Sequence, residues 1–129
     1  MKKPIDILLK IIPIAFLLFV STFSQTVNIK IIETSDVHGA IVPYDLIKDT
    51  TTSSSLAQVH TFANYLRWQA NSEVVLLDNG DLLQGDPMSY FYNYEDTSST
   101  HIFAEAMNIM KYDVATIGNH DIETGHQVY

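Results

Sequence analysis

Three short apolar runs in this chain each break off into a cluster of Asp, His, Asn and Gly. Asn28 to Thr34 lead into Ser35-Asp36-Val37-His38-Gly39, and Val74 to Leu77 lead into Asp78-Asn79-Gly80-Asp81. Asp113 to Ile117 lead into Gly118-Asn119-His120-Asp121 and read as a buried strand passing into a tight loop. The run Val74-Val75-Leu76-Leu77 has no polar member. Such a run suits a strand of a parallel sheet covered on both faces. Open α/β sheets carry their chemistry just beyond the carboxyl ends of their strands. The three loops are therefore expected to share one rim.

The rest of the chain fits the same frame. Val27 to Thr34 is rich in Ile and predicts a first strand. Lys48 to Ser55 is polar and predicts an exposed loop, whose last serines can cap a helix beginning at Leu56. Leu56 to Ala70 predicts that helix, with Leu56, Val59, Ala63, Leu66 and Ala70 on one stripe and Phe62 beside it. Asn71-Ser72 ends it, and Glu73 to Asp78 forms the next strand. A strand, a crossover helix and a strand predict a right-handed βαβ unit. Gly80 to Pro87 is a loop, Tyr90 to Tyr94 is densely aromatic, and Glu95 to Ser99 is turn-like. His101 to Met110 predicts a second helix, with Ile102, Phe103, Ala106, Ile109 and Met110 on one face.

Charge and composition narrow the function classes. The chain has 129 residues and no cysteine, so it has neither a disulfide framework nor a Cys-ligated zinc site. Its formal net charge is −8. Residues 1–24 hold three of the seven basic and one of the fifteen acidic side chains, so the remainder carries four against fourteen, a net of −10. That balance repels polyanions and argues against nucleic-acid binding through phosphate contacts. A small phosphate ester stays compatible with it, because bound divalent cations reverse the local sign. Lys2, Lys3 and Lys10, the apolar run from Ile11 to Val20, and Ser21-Thr22-Phe23-Ser24 have the order of a secretory signal. The run is shorter than the roughly 20 apolar residues of a spanning helix. Residues 1–24 are thus expected to be a cleaved signal, leaving no stable membrane anchor, and 25–129 the secreted part.

The polar loops offer a metal-ligand set. Asp36-Val37-His38 puts a carboxylate and an imidazole on the same side of an extended segment. Asp81 follows the flexible Gly80 and can bridge two ions, and Asn119 offers a neutral carbonyl oxygen. Oxygen and nitrogen donors without sulfur suit Mn, Fe, Zn or Mg. Two such ions about 3.5–4 Å apart clamp both the attacking and leaving oxygens of a phosphoryl group. Taken singly, each motif also reads as a turn at a strand end, with Asn and Asp making local caps. The order of the three, each at a strand end, favours the metal reading.

That order, Asp36-x-His38, Gly80-Asp81, Gly118-Asn119-His120-Asp121, resembles the calcineurin-like metallophosphoesterases. Leu77 to Gly85 and Tyr112 to Asp121 resemble the secreted bacterial 5′-nucleotidase and 2′,3′-cyclic-nucleotide 2′-phosphodiesterase branch. The resemblance covers residues 27–129. It implies a β-sandwich flanked by helices, here a part of one, truncated after the third motif. It implies two divalent ions, with Asp36 and His38 on the first, Asp81 bridging, and Asn119 on the second. His120 is implied as a non-ligand that protonates the leaving oxygen or stabilises developing charge, with hydrolysis by metal-bound hydroxide. A carboxylate orients that histidine in the family; here Glu123 stands where Asp is expected, and Asp121 is the other candidate. The implied substrate is a nucleotide or other small phosphate ester, and the implied location is periplasmic or cell-surface in a bacterium. The family's later G-H and G-H-x-H motifs stand well after the G-N-H motif and, since Gly125-His126 is too close to His120 to be the first, are missing here, as is its nucleotide-binding domain, so the chain is expected to be an N-terminal part, inactive alone.

The competing reading is a secreted, non-catalytic metal- or partner-binding fragment. Of the other tempting residues, His60 is expected solvated or half-buried on its helix, His101 to cap or pack, and His126 to be exposed. The Tyr90–Tyr94 cluster can stack a base, but packing is the stronger expectation. Gln84 to Pro87 is expected to wall the phosphate pocket, and Asp78 and Asn79 to support the metal loops.

Overall fold

The computed structural model describes residues 26–69, 72–125, 127 and 128. The predicted signal segment and His126 lie outside these, as do Ala70 and Asn71. The elements in chain order are β1 (Asn28–Thr34), β2 (Tyr44–Asp45), β3 (Thr50–Thr51), α1 (Leu56–Trp68), β4 (Ser72–Asp78), α2 (Pro87–Tyr90) running on into a π-turn (Phe91–Glu95), α3 (Ile102–Met110), β5 (Val114–Ala115) and α4 (Asn119–Glu123). Among the described residues no helix is long and apolar enough to cross a membrane.

The expected α/β frame is present. β1, β4 and β5 form a parallel sheet in the order β1-β4-β5, with Ile31 opposite Val75 and Leu77 opposite Val114. Parallel pairing aligns all three carboxyl ends on one rim. Ser55 caps α1 by accepting the Gln58 N–H, and α1 crosses over to join β1 to β4. Arg67 near the end of α1 donates to the carbonyls of Met110 (2.8 Å) and Lys111 (3.2 Å), tying α1 to the end of α3. Lys111 closes α3 in the left-handed conformation, φ 60°. Leu56, Leu76, Leu82, Phe103 and Met110 form the core between the sheet and these helices.

Among the described residues the sheet is covered on one face. Leu76, Thr34 and Asp78 point into the core, while Ile29 and Ile31 on β1 are more than 60% exposed. The last strand differs from expectation. It spans two residues rather than Asp113 to Ile117, and Val114 and Ile117 are exposed, not buried. Its backbone still follows β4, through Asp113 N–H to the Leu76 carbonyl and Thr116 N–H to the Asp78 carbonyl. It lies at the sheet edge, so its apolar side chains have no second neighbour among the described residues. The expected loop at Lys48–Ser55 contains β3, which pairs with β2 in a two-residue ribbon.

Candidate metal centre

Three loops meet at the carboxyl ends of β1, β4 and β5, and backbone hydrogen bonds zip the first two together. Asp36 N–H donates to the Gly80 carbonyl (3.1 Å), His38 N–H to Asp81 (2.9 Å) and Gly39 N–H to Leu82 (3.0 Å). The segment Asp36–His38 is therefore not extended, as the alternating spacing suggested. Asp36 (φ 54°), His38 (φ 48°) and Asp81 (φ 58°) all take the left-handed backbone. Non-glycine residues held there cost on the order of 1–3 kcal/mol each and cluster where a side chain must be aimed. Asp and His are among the side chains that tolerate it best. The turn, rather than a strand's pleat, brings Asp36 and His38 to the same side.

The result is a convergent donor set. Asp36, His38 and Asp81 each present a ligand atom within 4.8 Å of the others'. That spread is close to what donors about 2.1 Å from one shared ion can have. The tautomer of His38 fits as well. Its Nδ1 lies 3.1 Å from the Gln84 carbonyl, which can only accept, so Nδ1 carries the proton. Nε2 then presents a lone pair, 3.9 Å from Asp36 Oδ1. A ligating histidine held by its other nitrogen is the usual arrangement at metal sites. The donor set therefore fits a divalent cation. Asn119 opens α4 on the same rim and is exposed.

The Gly118-Asn119-His120-Asp121 motif is not a loop, as expected, but the start of the short helix α4. Gly118 lies so close to Asp81 that an added Cβ would stand 2.1 Å from Asp81 Oδ1. Gly118→Ala is thus expected to cost about 2 kcal/mol by overpacking. It should also push Asp81 off the donor set, read as weaker Mn²⁺ binding by calorimetry beside a thermal melt.

His120 stays outside the converging donors. Its backbone N–H donates to Asp81 Oδ1 (2.9 Å), while its ring lies edge-on to His38 with centroids 5.4 Å apart. Its Nδ1 faces Glu123 Oε2 at 3.4 Å. The Gln84 amide donates to the same oxygen (3.1 Å). The Gln84 contact, and after it His120, hold the Glu123 carboxyl below its ordinary value. Glu123 is thus the carboxylate in reach of His120.

Asp121 does something the sequence did not disclose. It is 2% exposed, and its carboxylate accepts the backbone N–H groups of Asp81 (2.8 Å), Leu82 (2.9 Å), Leu83 (2.7 Å) and Gly118 (2.9 Å). It clamps the loop that follows β4 to the one that precedes α4. Asp78, also buried, accepts from the Thr34 hydroxyl (2.8 Å) and the Gly80 N–H (3.1 Å). Tyr112 O–H completes this network on Thr34 (2.9 Å). Burial pushes the Asp78 carboxyl above its ordinary value.

His101 anchors the same loop from farther away. Its Nδ1 accepts the Phe103 N–H and caps α3 (3.3 Å), so Nε2–H donates to the buried Asn93 (2.9 Å). Asn93 passes its amide to the Leu83 carbonyl (2.7 Å). Burial lowers the His101 pKa from its ordinary 6.5. A depressed folded value means that the neutral ring's contribution is full above 6.5 and is lost as pH falls through the folded value. Unfolding measured below pH 6.5 should therefore show a falling melting temperature, with a shallower slope in His101→Asn. His60 is half-buried as expected, its Nε2 2.8 Å from Asn64.

No protein-family model matches the chain. It is 34% identical to the trifunctional nucleotide phosphoesterase protein YfkN of Bacillus subtilis, over 95% of the chain and 9% of that protein. It is 33% identical to the 2′,3′-cyclic-nucleotide 2′-phosphodiesterase/3′-nucleotidase of Yersinia enterocolitica, over 79% of the chain and 16% of that protein. The crystal structure of calcineurin-like phosphoesterase YfkN from Bacillus subtilis superposes with a TM-score of 0.66 at 31% identity, over 81% of this chain and 33% of that one. The chain thus spans less than a fifth of the length of these curated relatives.

Proposed function

Because the chain belongs to the calcineurin-like phosphoesterases, we propose that it takes part in hydrolysis of nucleotide phosphate esters at the rim of its parallel sheet. The substrate class is that of a 5′-nucleotidase or a 2′,3′-cyclic-nucleotide phosphodiesterase. The observation that carries the reading is the convergence of Asp36, His38 and Asp81, each aimed by a left-handed backbone. An acidic rim of this kind repels a phosphate unless cations are bound between them. Asp36 and His38 would hold one ion, Asp81 would bridge, and Asn119 would hold the second. Divalent ions, when bound, polarise phosphoryl oxygens and acidify a water at neutral pH.

The chain's own groups supply the rest. A water oxygen bonds to phosphorus as the bond from phosphorus to the ester oxygen breaks, and that oxygen leaves with a proton. His120 is the donor of that proton: Glu123 at Nδ1 orients the ring, so Nε2 is the nitrogen that would carry it. His38 and Gln84 hold the geometry, the first through its bond to the Gln84 carbonyl and the second through its bond to Glu123. Residues 1–24 would direct the protein to the periplasm or cell surface.

His120→Ala tests the assignment. In a complete enzyme that carries this segment, AMP and 2′,3′-cyclic AMP hydrolysis, read as phosphate or nucleotide release with Mn²⁺, should fall by roughly 10²–10⁴-fold, the usual weight of a general acid. Mn²⁺ content should stay at the parent level. Loss of metal in parallel with hydrolysis would make His120 a ligand and contradict the reading.

A further inference from the structure

Three exposed aromatic side chains line the outer side of α1. Phe62, Tyr65 and Trp68 are 54%, 56% and 86% exposed. They follow one another three residues apart, which makes them neighbours along one helix face. The opposite side of α1 carries the buried Leu56 and Ala63. Phe62, which the sequence puts beside that buried stripe, thus belongs to the outer face. Scattered apolar side chains on a surface are ordinary, but a contiguous set marks a contact. α1 also contains no Asp or Glu, and Arg67 is its one Lys or Arg. It stands out in a segment, residues 25–129, that holds fourteen acidic side chains.

The basic residues gather at the same place. Residues 25–129 have four of them, Lys30, Lys48, Arg67 and Lys111. Lys48 pairs with Asp45. The other three meet around the end of α1. Lys30 on β1 donates to the side-chain oxygen of Gln69, the residue after Trp68. Arg67, the residue before Trp68, donates to the Lys111 carbonyl (3.2 Å). Among the described residues none of the three has a carboxylate in ion-pair range. Nearby acids are engaged or turned away. The Asp113 carboxylate accepts the Leu76 N–H (2.8 Å), and Glu73 points to the face of β4 opposite the core-facing Leu76. Helices that connect parallel strands run antiparallel to them, so α1 and α3 both finish at the amino end of the sheet. The patch therefore lies at the end away from the metal rim.

We propose that this end of the molecule docks on an anionic lipid bilayer, with Phe62, Tyr65 and Trp68 entering the headgroup layer and Lys30, Arg67 and Lys111 facing its charges. Tryptophan and tyrosine favour that level, where an apolar body and a polar tip are both accommodated. Basic side chains add attraction to acidic headgroups. The rest of the surface is acidic and is repelled by the same headgroups, so charge turns the metal rim toward solvent. Contact through one helix face is reversible, unlike a spanning segment. The proposal does not depend on the nucleotide-hydrolysis reading.

Trp68 is the chain's single tryptophan, so its emission reports this face. Vesicles of phosphatidylglycerol and phosphatidylcholine, added to the full chain, should shift that emission to the blue and shield it from acrylamide. High salt should reverse the shift. Lys30→Gln with Lys111→Asn should weaken the apparent affinity about twentyfold, the weight of two basic side chains near a charged bilayer. Asn suits position 111 because it tolerates the left-handed backbone there. Phe62→Ala with Tyr65→Ala should weaken it about tenfold, through the apolar area no longer buried. Both variants keep residues 1–24, so a response carried by that segment would be the same in all three proteins. No blue shift on the anionic vesicles, or an affinity unchanged in either double variant, would overturn the proposal. A blue shift produced by raising the protein concentration alone, with a dimer in sedimentation, would overturn it too and assign the face to a second copy.

Discussion

Asp121→Ala is expected to be the most damaging single substitution on the rim. It removes an acceptor from four backbone N–H groups, three of which belong to the loop that carries Asp81. Each buried N–H left without a partner costs about 1–3 kcal/mol. Water can reach some of them once the side chain is gone. A loss of about 4 kcal/mol is therefore expected, a large share of the roughly 5–15 kcal/mol that holds a typical domain together. The same loop places Asp81 and, through the Gln84 carbonyl, His38. Mn²⁺ affinity should fall at least a hundredfold at a temperature where the variant is still folded. Asp121→Asn keeps an acceptor oxygen but turns two N–H donors toward the Asp81 and Gly118 amides, and should lie between the two. Denaturant unfolding and calorimetric titration on the three proteins check both numbers. An alanine variant with parent stability would remove the clamp from the fold's explanation.

Asp81→Ala should separate the site from the scaffold. One Asp81 oxygen accepts the His120 N–H, and the carboxylate belongs to the converging set with Asp36 and His38. Removing it leaves the Asp121 clamp in place, because Asp121 bonds the backbone of residue 81 and not its side chain. The left-handed backbone is not relieved, since alanine keeps the Cβ that makes it costly and lacks the polar side chain that lets Asp tolerate it. Stability should therefore change by about 1 kcal/mol, near the centre for ordinary substitutions. Metal binding should drop by about two orders of magnitude or more, the effect of losing a ligand rather than a supporting partner, for which roughly 10–100-fold is usual. A variant that binds Mn²⁺ like the parent would place the ion elsewhere.

The frame of the fold was legible because its signals are local. Val74 to Leu77 is a continuous apolar run, and Leu56 to Trp68 keeps a helical stripe, so β4 and α1 follow from periodicity. The rim was legible for the same reason: Asp36, His38, Asp81 and Asn119 stand directly after strands. The features that escaped depend on contacts far apart in the chain. Asp121 reads as a turn residue or a partner of His120, and only its meeting with residues 81–83 makes it a clamp. Asn93 sits among exposed tyrosines, and nothing in the order Phe91-Tyr92-Asn93-Tyr94 reveals a link from Leu83 to His101. Asp36 and His38 converge as expected but through left-handed turns, which are set by hydrogen bonds to residues 80 and 81. Val114 and Ile117 looked like a buried strand because apolar content does not distinguish a central strand from an edge.

Anomalous diffraction from Mn²⁺-soaked crystals of the chain tests the metal centre most directly. The expected result is a peak bonded to His38 Nε2 and to carboxylate oxygens of Asp36 and Asp81, with Asn119 near it and His120 unbonded. A peak ligated by His120, or full occupancy elsewhere with nothing between Asp36, His38 and Asp81, would contradict it.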